Sequence, residues 1–167
     1  SLIVKEVNSG ETVFAYDTLR QLTPASVMKT VTTATALEIL GEDYRFPTTL
    51  AYDGSIEKGL LKGNLYIKGS GDPSLGSAHF APYHKRFLQE WISALKKVGI
   101  HKIQGAVIAD ESIFDTEGTS FKWVGEDMGS YYGAGSYGLC VFDNLYKLGL
   151  QTGAPGSRPK LKGTEPE

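Results

Sequence analysis

Ser26-Val-Met-Lys29 is the place in this chain where residue type and spacing point to covalent chemistry. In a helix, positions i and i+3 share a face, so the Lys29 amine can reach the Ser26 hydroxyl. The N-terminus of a helix carries partial positive charge and disfavours a cation at Lys29. Partial desolvation there would favour the neutral amine, which can act as a general base. The serine then becomes nucleophilic without a histidine. A misplaced cation in a first turn is the kind of local conflict that function explains.

The spacing alone is weak. Ser-x-x-Lys occurs four times, at Ser26/Lys29, Ser55/Lys58, Ser93/Lys96 and Ser157/Lys160. With 13 serines and 13 lysines in 167 residues, about one match is expected by chance. Ser55 falls in an expected hairpin turn, and Ser93 and Lys96 fall on the polar face of an expected helix. Ser157 precedes Arg158 and Pro159, which hinder a helical turn. Ser26 alone opens an apolar helix. The competing reading is a capping-region serine beside a lysine whose stem lies along apolar surface.

The elements that would position this pair follow from patterning. "LIVKEV" and "TVFAY" flank the turn residues of "NSGE" and predict a β-hairpin. A helix follows, with Thr23 as cap, Pro24 at the first helical position and Gly41 at the stop. Between Pro24 and Leu40 its only charges are Lys29 and Glu38, so it is expected to be central rather than surface-lying. "FPTTLAY" and "LLKGNLYIKG" read as strands joined across "DGSIEKG". The apolar spacing from Phe87 to Val98 predicts an amphipathic helix ended by Gly99. "KIQGAVIAD" reads as a buried strand. A short helix is expected near Asp143 to Leu150, and "TGAPGSRPKLKGTEPE" reads as a loop or an unfinished connection.

Composition narrows the class. The chain is 41% hydrophobic and 22% charged with a net charge of −2, as in a soluble globular protein. No basic stripe suggests nucleic acid, and no apolar run is long enough to span a membrane. Any export signal would have been removed or lie upstream of Ser1. Cys140 is the only cysteine, which excludes an internal disulfide and leaves the compartment open. His79, His84 and His101 lack zinc-ligand spacing, so neither metal nor cofactor is expected. "GSGDPSLGS" lacks the Gly-Lys-Ser/Thr ending of a phosphate-binding loop and reads as structural, with Asp72 before Pro73 in a turn.

"PASVMKTVTTATALEILG", "YRFPTTL", "LKGNLYIKGSGDPSL" and "YYGAG", in that order, resemble the D-alanyl-D-alanine carboxypeptidase/endopeptidase family, the class C low-molecular-mass penicillin-binding proteins. The resemblance implies an α+β chain. Residues 1–44 would be the N-terminal part of a serine transpeptidase domain, and residues 45–167 part of an inserted α/β domain. It implies a Ser26 acyl-enzyme with Lys29 as base, acting on peptidoglycan stem peptides outside the cytoplasmic membrane, in the periplasm or its equivalent. β-Lactams would be covalent inhibitors. The Ser26 N–H would be one of two oxyanion donors, and Asp127 and Tyr132 would hold the stem peptide's side chain.

Two motifs of that family are missing. No Ser-x-Asn occurs; "FDN" at 142–144 lacks the hydroxyl, and "QTG" at 151–153 lacks the cation of Lys-Thr-Gly. The chain is therefore expected to be an N-terminal portion of a longer enzyme, inactive by itself. Its incomplete sheet would expose an edge that invites pairing, so self-association is admitted. A non-catalytic peptidoglycan-binding module stays open as an alternative. So does, less favoured by the later motifs, a serine esterase or β-lactamase using the same pair.

Overall fold

The computed structural model describes residues 1–83 and 86–166, with only the backbone of 81–83; His84 lies outside them. The chain is α+β, and its backbone divides into two compact units, Ser1–Arg45 and Phe46–Glu167.

In the first unit β1 (Leu2–Lys5) pairs antiparallel with β2 (Thr12–Tyr16), with an irregularity between Val4 and Lys5. Glu6 holds the connection: its carboxylate accepts from the Ser9 N–H at 2.5 Å and from Asn8 Nδ2 at 3.1 Å. A 3-10 turn, Ala25–Val27, leads into α1 (Met28–Leu40), which stops at Gly41 with its N–H on the Leu37 carbonyl at 2.9 Å. Thr23 does not cap the helix. Pro24, already helical at φ −71° and ψ −19°, occupies the cap position and has no side-chain oxygen to offer. Nor is α1 buried: it has no buried residue, and Val31, Leu37 and Ile39 are all exposed. One hairpin and one helix in 45 residues provide too little surface to enclose a helix apolar on every side.

The second unit has two three-stranded sheets. β3 (Thr49–Tyr52), β6 (Leu65–Lys68) and β8 (Val107–Asp110) form one, in the order β3-β6-β8. β4 (Ser55–Glu57), β5 (Leu60–Lys62) and β7 (Lys102–Ile103) form the other, in the order β4-β5-β7. Each central strand has an antiparallel neighbour and a parallel one. Thus "DGSIEKG" is not a plain connection, because Ser55 opens β4. "LLKGNLYIKG" and "KIQGAVIAD" are each divided between the two sheets.

The division has a backbone cause. Gly105 donates to the Gly63 carbonyl at 3.1 Å, and a Cβ at Gly105 would collide with that carbonyl. Asn64 then bridges the break: its N–H donates to Asp53 Oδ1 at 2.6 Å, and its Oδ1 accepts the Ala106 N–H at 2.9 Å. The Asn64 N–H, the Tyr66 hydroxyl and the Asn64 amide hold the Asp53 carboxyl below the usual carboxylate range. "KIQGAVIAD" is also less buried than its apolar text suggests, since Val107 is exposed.

α2 (Arg86–Lys97) matches the amphipathic expectation. Leu61, Leu65 and Ile100, just beyond the helix, form the core of this unit, and Leu95 of α2 packs against it with Ile56 and Ile103. Phe87 is buried, with Trp91 edge-on at 4.9 Å and Phe142 at 5.6 Å. No helix spans Asp143 to Leu150. β9 (Lys147–Gln151) runs there and pairs antiparallel with β10 (Lys160–Glu165), so the expected loop is a second hairpin. Leu148 and Leu150 alternate with polar and small residues at strand period, and cross-strand pairing decides the state.

Candidate active site

Each half of the expected site is best taken within its own unit. In the first, the 3-10 turn carries Ser26, and α1 begins two residues later, so Lys29 lies on the first turn of regular helix. Lys29 Nζ donates to Ser26 Oγ at 3.0 Å. Of the four Ser-x-x-Lys pairs, this is the one with a hydrogen bond between its members among the described residues. Ser157 Oγ turns back to the Ala154 carbonyl at 2.7 Å, and Ser93 and Lys96 lie on the exposed face of α2. The backbone around Ser26 is arranged as a helix start. The Val27 N–H meets the Pro24 carbonyl at 3.0 Å, and the Met28 N–H meets the carbonyls of Ala25 and Ser26. No acceptor among the described residues meets the Ser26 N–H. The expected desolvation of Lys29 is not supplied, because the whole first turn is exposed. Its cause is the uncovered helix described above.

In the second unit, Asp127 ends a 3-10 turn, Gly125–Asp127, and Tyr132 lies in the next, Tyr131–Gly133. A ladder of turn bonds joins them: Ser130 N–H to the Asp127 carbonyl and Gly133 N–H to the Ser130 carbonyl, each at 2.9 Å. Gly133 comes so close to the Asp127 carbonyl that a Cβ would not fit. The result brings the expected pair together, with the Tyr132 hydroxyl donating to Asp127 Oδ1 at 3.1 Å. Oδ2 has no partner among the described residues, and the carboxylate is half-buried. A half-buried carboxylate with one oxygen held and the other available suits an ammonium group. Tyr131 packs edge-on against Tyr132 at 5.2 Å, a neighbour that the sequence reading did not single out. Tyr131 also borders a cavity of about 660 Å³, which Phe142, Asn144 and Cys140 help to line.

In "GSGDPSLGS" Asp72 forms the expected turn: its Oδ1 accepts from the Ser74 N–H at 2.8 Å and from the Ser74 hydroxyl at 2.6 Å. "FDN" forms a turn in which Phe142, Asp143 and Asn144 all have positive φ. "QTG" begins at the last residue of β9 and leaves the strand.

The whole chain, residues 1–167, matches the family model for "D-Ala-D-Ala carboxypeptidase 3 (S13) family". It is 30% identical over 126 residues to the D-alanyl-D-alanine carboxypeptidase DacB of Haemophilus influenzae, covering 75% of this chain and 25% of that protein. It is 31% identical over 140 residues to the D-alanyl-D-alanine carboxypeptidase of Actinomadura sp. (strain R39), covering 84% of this chain and 24% of that one. The crystal structure of penicillin-binding protein 4 (dacB) from Haemophilus influenzae superposes with a TM-score of 0.77 at 28% identity, covering 95% of this chain and 34% of that one. The same protein complexed with a novel β-lactam gives 0.64 at 27% identity, covering 95% of this chain and 30% of that one. The chain therefore spans about a quarter of the length of the curated relatives it matches.

Proposed function

Because the chain belongs to the D-Ala-D-Ala carboxypeptidase 3 (S13) family, we propose that it carries the nucleophile of a serine D-alanyl-D-alanine carboxypeptidase/endopeptidase. Residues 1–44 are then the start of the transpeptidase domain, and residues 45–167 belong to the inserted region. The substrate is the peptide stem of peptidoglycan, and the place of action is outside the cytoplasmic membrane. The observation that carries this reading is the 3.0 Å hydrogen bond between Lys29 Nζ and Ser26 Oγ at the start of α1.

Chemistry follows from that contact. With the amine neutral, Lys29 accepts the Ser26 proton as Oγ bonds to the scissile carbonyl carbon. The Ser26 N–H donates to the oxyanion. The carbonyl–nitrogen bond then breaks, the leaving nitrogen takes the proton from Lys29, and an acyl-serine remains. With a β-lactam the leaving nitrogen stays tethered. Asp127, with Tyr132 holding one of its oxygens, receives the side-chain ammonium of the stem's diamino acid. Residues 1–167 contain no Ser-x-Asn or Lys-Thr-Gly, so these residues do not themselves supply the second oxyanion donor or the carboxylate-binding cation. Loss of one oxyanion donor slows acyl transfer by about 10²–10³-fold, so this chain acylates slowly and does not turn over.

The same missing motifs favour a second reading, a peptidoglycan-binding module without chemistry. Labelling with a fluorescent penicillin separates the two. The enzyme reading predicts a denaturation-resistant labelled band that is lost in Ser26→Ala. The binding-module reading predicts no band in either.

A further inference from the structure

Ala25, the residue before the nucleophile, has φ +45°. A residue with a Cβ takes that left-handed backbone only against steric resistance. Its own side chain gives no reason for it, since Ala25 is exposed. Gly54 and Gly156 also hold positive φ, before Ser55 and Ser157, but glycine goes there freely. Neither of those serines is bonded to its lysine among the described residues. At position 25 the sequence accepts strain in front of the one serine that meets its lysine, and such strain collects where geometry has a use.

Two features of Ser26 depend on how the chain turns here. Pro24 is helical at φ −71°, the next residue is left-handed, and the 3-10 turn then runs directly into α1. After that reversal Ser26 Oγ lies 3.0 Å from Lys29 Nζ. The Ser26 N–H is left without an acceptor among the described residues, while the N–H groups of Val27 and Met28 are engaged. The nucleophile and an unspent donor thus sit on one residue.

We infer that Ala25 is a positioning residue for acylation: its left-handed backbone, rather than its methyl group, aims Ser26 Oγ at Lys29 and keeps the Ser26 N–H free for the oxyanion. This rests on the acyl-serine reading above. The backbone is the active part, so substitutions sort by their tolerance of positive φ and not by size or polarity. Valine, branched at Cβ, resists it most, and glycine accepts it.

The test measures the acylation rate at saturating benzylpenicillin and the half-saturating concentration, for the native chain, Ala25→Val and Ala25→Gly, with melting curves on all three. Ala25→Val should acylate about tenfold more slowly, with half-saturation unchanged, and the backbone strain should lower its melting temperature only slightly, leaving the chain folded at the assay temperature. Ala25→Gly should restore the rate to within about threefold of native. A native rate in Ala25→Val would overturn the inference. So would an Ala25→Gly chain as slow as Ala25→Val, or a loss of rate in Ala25→Val no larger than its unfolded fraction at the assay temperature explains. Absence of acylation in all three, the native chain included, would instead remove the acyl-serine reading on which the inference stands.

Discussion

Lys29 and Ser26 form the contact on which the functional account turns, and it was legible because i,i+3 spacing guarantees a shared helical face. What the spacing did not contain was solvent. The exposed first turn of α1 gives Lys29 the right partner without the dry surroundings. Removing the amine with Lys29→Ala should lower the rate of penicillin acylation by about 10²–10⁴-fold while Ser26 remains in place, as expected for loss of a general base. In the proposed mechanism Asp127 and Tyr132 act on substrate and not on the nucleophile. Asp127→Asn should therefore weaken binding of a stem peptide with a free side-chain amine, read by calorimetry, and leave the penicillin acylation rate unchanged. Glu6 gives a pH prediction. Hydrogen bonds from the Ser9 hydroxyl and N–H and from Asn8 lower its carboxyl from 4.5 to about 2. A depressed carboxyl stabilises the hairpin above its ordinary pKa, and that contribution fades as pH falls from 4.5 toward 2. Carboxyl NMR should show Glu6 titrating near 2, and Ser9→Ala should move the midpoint up.

Whole elements were legible where one pattern fills one element. The hairpin β1–β2 and α2 each have a clean period and turn residues at their ends. Patterns failed where one apolar run serves two elements. "LLKGNLYIKG" and "KIQGAVIAD" look continuous, yet each changes sheet at a point where Gly63 and Gly105 meet backbone to backbone. That contact joins residues 42 apart in the chain, and no local window contains it. β9 and β10 were missed for a related reason, because Lys147–Gln151 becomes a strand only through its partner Lys160–Glu165. The core of the second unit gives the energetic check. Leu61 is fully buried among Leu65, Ile100, Ile56, Leu95 and Ile103. Leu61→Ala should destabilise this unit by about 2–5 kcal/mol, followed by Trp91 fluorescence in denaturant.

At the scale of the whole chain, the apolar surface of the first unit dominates. Val13, Val31, Leu37 and Ile39 are more than half exposed, and β1 and β2 have no further strand beside them among the described residues. Unpaired edges and exposed apolar helix faces promote association. Sedimentation should show concentration-dependent self-association that weakens in a Val31→Glu, Ile39→Glu double variant. The family was legible from four ordered stretches that run from the nucleophile helix to "YYGAG", and the match over residues 1–167 agrees. The chain covers about a quarter of its curated relatives, and Ser-x-Asn and Lys-Thr-Gly do not occur in residues 1–167.

The central claim is that Ser26 forms an acyl-enzyme. Its most direct test is mass spectrometry of the native chain after prolonged exposure to benzylpenicillin, with the adduct mapped by proteolysis. The account predicts one added penicillin, located on the peptide containing Ser26. An unmodified chain, or an adduct on any other residue, would contradict it.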